Sequence, residues 1–106
     1  MAKTFSIPNE LGADAYSSLL PFFIKEITKD IISLEQAFFK DDVNSIKSLL
    51  HKMKGTSLTY GASEIATQIK NAQYFSQTEG YSEQQFLQIK EAVKATFLEL
   101  ESEFKF

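Results

Sequence analysis

Residues 43–59 read Val43-Asn44-Ser45-Ile46-Lys47-Ser48-Leu49-Leu50-His51-Lys52-Met53-Lys54-Gly55-Thr56-Ser57-Leu58-Thr59. Val43, Ile46, Leu49, Leu50, Met53 and Ser57 recur every three or four positions, the period of a helix with one buried face, and nothing in the stretch alternates with the period of a strand. Lys40, Asp41 and Asp42 form a polar break before it, and Gly61 suits the left-handed position just past its end. An amphipathic helix bounded this closely needs neighbours to cover its apolar stripe.

Working outward supplies them. Upstream, Tyr16, Leu20, Phe23, Ile24, Ile27, Ile31, Leu34 and Phe38 mark one face of a long segment over about 13–39. Pro21 lacks a backbone donor and crowds the preceding turn, so it is expected either to kink this segment or to divide it into a short helix and a long one. Downstream, Ala62, Ile65, Ala66, Ile69, Ala72 and Ser76 mark a segment over about 62–77. Ser82 and Gln85 then make a capping-box pattern opening a last helix over about 83–104, with Phe86, Ile89, Val93, Phe97, Leu100 and Phe104 on its inner face. Breaks of a few residues make consecutive helices antiparallel, so the sequence predicts an all-α fold: an up-down antiparallel four-helix bundle with a short or kinked N-terminal helical segment. The ten phenylalanines are expected to be core filler.

The chain has 106 residues, enough for a single domain over residues 1–106. It has no cysteine and one histidine, which removes disulfides, thiol nucleophiles and multi-histidine metal sites together. No metal site or bound cofactor is expected. Four glycines without phosphate-loop or nucleophile-elbow spacing leave no sign of nucleotide or acyl chemistry. The net charge of −3 argues against nucleic acid as a partner. The longest apolar run, Leu19 to Ile24, is far short of the roughly 20 residues a membrane span needs. The opening MAKTFSIPNE has no secretory pattern, and with the missing cysteines this makes the cytoplasm the expected location. No heptad seam is visible, so a monomer is expected.

At about 100° per residue, His51 falls roughly 140° from the centre of the apolar stripe of residues 43–59 and therefore faces water. Gly55 follows it by one turn, where glycine costs about 1 kcal/mol relative to alanine, and access to the imidazole is a reason for accepting that cost. Lys54, three residues after the histidine, can reach an anion bound at the ring. Leu58 adds an apolar contact nearby. Each of these residues also has a plain reading as part of a solvated helix face.

The run His51-Lys52-Met53-Lys54-Gly55-Thr56-Ser57, continuing through Gly61-Ala62 to Ile65, resembles the signature of histidine-containing phosphotransfer (HPt) domains. That pattern is His, two residues, Lys-Gly, one residue, Ser, then a Gly-Ala pair and an apolar residue. The helix order on either side also fits the family's bundle. The resemblance implies a phosphorelay carrier whose histidine, here His51, takes a phosphoryl group from a receiver-domain aspartyl phosphate or hybrid histidine kinase and passes it to another receiver. It implies no ATP site and no cofactor of the chain's own, with magnesium expected on the partner receiver domain. Lys54 would stabilise phosphoryl charge and Gly55 would leave clearance. A glutamine level with the histidine occurs in some members, which makes Gln73 the candidate here and Gln68 the next choice. Ile32, reflected through the turn near Asp41 and Asp42, comes level with His51, so Ile32, Lys47 and Leu58 are the expected docking residues. The alternative is a non-phosphorylated helical module that docks receiver or kinase domains.

Overall fold

The computed structural model describes residues 3–105. Its elements, in chain order, are α1 (Ala13–Phe39), α2 (Val43–Thr59), α3 (Ser63–Glu79) and α4 (Glu83–Phe104). α1 packs on α2, α2 on α3, α3 on α4 and α4 back on α1, so α2 and α4 lie on opposite corners of the bundle. The body measures 41 × 24 × 22 Å, about the length of the 27-residue α1.

α1 is one helix with Pro21 inside it, so of the two outcomes open for the proline the division into two helices does not occur. Pro21 stands on the exposed side, while Tyr16, Leu20, Phe23 and Ile27 are buried on both sides of it. Tertiary packing across the proline outweighs the one backbone bond it removes. α1 and α2 then end in the same way. Asp41 and Gly61 both take positive φ, 57° and 70°. Asp41 N–H donates to Phe38 O and Asp42 N–H to Ala37 O, while Gly61 N–H donates to Leu58 O and Ala62 N–H to Ser57 O. These crossed bonds are the Schellman arrangement that satisfies the last carbonyls of a helix, and aspartate tolerates the left-handed position better than most side chains. Gly61 has a second reason to be glycine, because a Cβ there would overlap the Ser6 carbonyl.

α3 starts one residue later and runs two residues further than the sequence pattern predicts, ending at Gly80 with φ 75°. Gln77, Thr78 and Glu79 carry no helix breaker, and polarity alone does not stop a helix. α4 opens with the capping box: Gln85 N–H donates to Ser82 Oγ, and Ser82 N–H to Gln85 Oε1.

The core joins Tyr16, Leu20, Phe23, Ile27, Leu34, Ile46, Leu50, Met53, Ile65, Ile69, Ile89 and Leu100. Val43, expected on the buried stripe of α2, is 44% exposed because it sits at the first helical position, beyond the cover of α1. The phenylalanines are not uniformly filler: Phe22, Phe39 and Phe75 are exposed, and Phe106 lies outside the described residues. The segment before α1 also belongs to the fold. Ser6 N–H donates to Gly61 O, Glu64 N–H to Thr4 O and Thr4 N–H to Glu99 Oε1, while Phe5 buries against Tyr16 and Phe104. It closes the end of the bundle where α2 turns into α3.

Candidate functional site

His51 is the ninth residue of the 17-residue α2 and is exposed on its outer face. The stripe of Ile46, Leu50, Met53 and Ser57, all buried, fixes which way α2 is turned and so directs the imidazole outward. Lys52 lies about 100° round the helix from His51 in one direction, and Lys54 about 60° in the other. The two lysines therefore flank the histidine and reach toward different helices.

Lys52 reaches α1. Its ammonium donates to Asp30 Oδ1 at 2.8 Å and lies 3.5 Å from Glu26 Oε2. Asp30 is only 2% exposed, and its Oδ2 has no partner among the described residues. The hydrogen bond to Asp30, aided by both carboxylate charges, holds the Lys52 amine above its ordinary pKa. Its charge is neutralised where it stands.

Lys54 reaches α3. It is half-buried, and its ammonium donates to Gln73 Oε1 at 3.2 Å. A neutral amide oxygen orients the lysine without cancelling its charge, so the cation beside His51 remains able to attract an anion. Gln73 thus joins the site through Lys54. Gln68 does not join it: one helical turn or more toward the start of α3, its amide donates to Glu64 Oε1 at 3.1 Å.

A Cβ placed on Gly55 would meet nothing within 4 Å, so nothing inside the fold demands glycine there. One turn beyond His51 is about 6 Å along the axis, close enough for a larger side chain to crowd a group bound at the ring. Ile32 and Leu58 are each 54% exposed, and Lys47 is exposed too. Ile32 thus lies off the buried face of α1. Asp30 and Lys52 were not singled out from the sequence. The available signal was the spacing of Asp30, three after Ile27 and four before Leu34, which places a carboxylate on the buried stripe.

One outward imidazole flanked by a lysine that keeps its charge suits a nucleophile for a dianionic group. The model of the Hpt domain family matches residues 18–100, from the second turn of α1 to the last turns of α4. The chain belongs to the Hpt domain family. Searches of curated proteins and of solved structures return no match. Hpt domains carry phosphoryl groups in two-component systems and interact there with receiver domains and kinases. Among the described residues, no helix of this Hpt domain is long and apolar enough to cross a membrane.

Proposed function

We propose that this Hpt domain is a phosphorelay carrier in which His51 accepts a phosphoryl group from the aspartyl phosphate of one receiver domain and delivers it to the aspartate of another. The observation that carries this reading is the exposed His51 with Lys54 held beside it by a neutral partner. A lone pair on an imidazole nitrogen attacks phosphorus, a P–N bond forms, and the P–O bond to the receiver carboxylate breaks, returning that carboxylate. The onward step reverses the order: a second receiver's carboxylate attacks, and the imidazole leaves with its electron pair.

Such transfer depends on in-line geometry and charge neutralisation more than on a strong base. Lys54 supplies one positive charge to the phosphoryl oxygens, and the magnesium expected on the receiver supplies the rest. Gln73 is a positioning residue acting through Lys54. Gly55 leaves room for the receiver to approach the ring along the line of attack. Ile32 and Leu58 form the apolar part of the receiver contact and Lys47 its polar rim, the composition usual for small signalling interfaces. The chain serves as a carrier with no ATP site of its own, in the cytoplasm, and acts as a monomer.

The test is incubation with a receiver domain carrying radiolabelled aspartyl phosphate. Label should appear on the chain, be lost in acid and persist in base, as a phosphoramidate requires. Absence of transfer from a receiver that is competent toward another Hpt domain, or label with the opposite stability, contradicts the reading.

A further inference from the structure

At the end of the bundle where α1 turns into α2, the last turn of α1 and the first turn of α4 leave a cleft of about 340 Å³ between them. Its floor is aromatic. Phe38 meets Tyr81 edge-on with ring centroids 6.0 Å apart, and meets Phe86 at 5.6 Å. One wall is Phe39, 91% exposed, and the opposite wall is Leu87, also exposed. A phenylalanine this bare gains nothing for the fold it sits on, since its ring stays in water.

The rim is acidic. Glu35, Asp41 and Glu83 line the same cleft. Asp41 and Glu83 make no side-chain hydrogen bond or ion pair among the described residues, and Glu35 has only a 3.9 Å approach from Lys90 with both side chains exposed. Such a pair contributes little. Lys40, adjacent in sequence, turns away and lines the groove between α1 and α2 with Asp42 and Ser45. The Schellman turn explains the placement of Asp41: its positive φ swings the side chain out of line with its neighbours.

We propose that this cleft docks a partner protein through a short segment that alternates apolar and cationic side chains, an apolar side chain entering between Phe39 and Leu87 while arginine or lysine meets the carboxylates. The occupant is fixed by charge complementarity: three carboxylates around an aromatic floor repel acidic segments and also oppose a second copy of the same acidic face. The cleft belongs to α1 and α4, whereas His51 is on the outer face of α2, the corner diagonal to α4. Occupancy here leaves the imidazole of His51 itself uncovered. The inference does not depend on His51 carrying phosphate.

The experiment is a titration of the isotope-labelled full chain followed by amide chemical shifts. The probe is a blocked hexapeptide alternating leucine and arginine, and the controls alternate leucine with glutamate and serine with arginine. Saturable shifts confined to residues 35–41 and 81–87 are expected with the first peptide alone, and unchanged by His51→Gln. Phe39→Ser, which removes an exposed ring, and Glu35→Gln with Asp41→Asn and Glu83→Gln, which keep the shapes of the side chains, should each weaken binding at least tenfold with the helical signal intact. Equal binding of the leucine-glutamate peptide, shifts spread over the whole surface, wild-type affinity in Phe39→Ser, or shifts of these residues on dilution of the chain alone, which would mark self-association, each overturns it.

Discussion

Lys52 and Lys54 are two residues apart on one helix, and their surroundings have nothing in common. Lys52 crosses to α1 and ends on a buried carboxylate, while Lys54 crosses to α3 and ends on a neutral amide. The first contact joins helices and uses up its charge; the second holds a cation in place and leaves the charge available. Residue type alone does not distinguish a structural lysine from a functional one. The partner does.

The sharpest way to break this comparison is to remove Lys52. Lys52→Met leaves the Asp30 carboxylate buried without its main partner, and the chain should lose about 3 kcal/mol of unfolding free energy, the low end for breaking a buried pair because Lys52 is itself half exposed. Denaturant unfolding measures this, and Asp30→Leu combined with Lys52→Met should recover most of the loss. Transfer per folded molecule should change little. Lys54→Ala should do the reverse, slowing phosphotransfer roughly tenfold to a hundredfold, less than a donor contributes in a water-excluded site, at nearly constant stability. If the two variants affect stability and rate alike, the distinction between the lysines fails.

Gly55→Leu has a smaller expected effect and tests clearance. Leucine has the higher helix propensity and the site is open, so the thermal midpoint should hold or rise while transfer slows several-fold. A stabilised variant with full transfer rate would show that the glycine serves no approach.

The last effect concerns alkaline pH, and it separates Lys52 from Tyr16 in the core. Tyr16 donates its hydroxyl to Tyr60 O at 2.6 Å, and burial pushes its pKa up to about 12. A folded value above the unfolded 10.0 means its contribution is complete below pH 10 and disappears as pH rises through about 12. Lys52, also raised, loses its contribution in the same direction above its unfolded 10.5. Tyr16→Phe should flatten part of the stability decline above pH 10 in chemical unfolding, and adding Asp30→Leu with Lys52→Met should flatten the remainder. A decline unchanged in both would mean other groups cause it.

Four helices and their order were legible because each carries a complete apolar stripe and each break has its own chemistry, from the Asp41 turn to the Ser82–Gln85 box. The orientation of His51 followed from the same stripe. What sequence periodicity does not carry is contact between distant segments. The strand-like pairing of Thr4 and Ser6 with the α2–α3 turn depends on backbone groups, which every residue has. Asp30 was hidden for the opposite reason: a carboxylate at an apolar position reads as a flaw in the stripe until Lys52 is seen to reach it. Gln73, the glutamine the family resemblance points to, has Lys54 rather than the histidine as its partner, a difference of side-chain direction that register does not fix.

The central claim is that the exposed imidazole of His51 takes and gives the phosphoryl group. The direct measurement is rapid-quench transfer from one labelled receiver, through the chain, to a second receiver, with the modified residue of the intermediate located by peptide mapping under alkaline conditions. Label should pass transiently through the peptide holding His51 before reaching the second receiver, and His51→Gln, with an unchanged helical signal, should carry none. Relay at the wild-type rate through His51→Gln, or label mapped to any other residue, would contradict it.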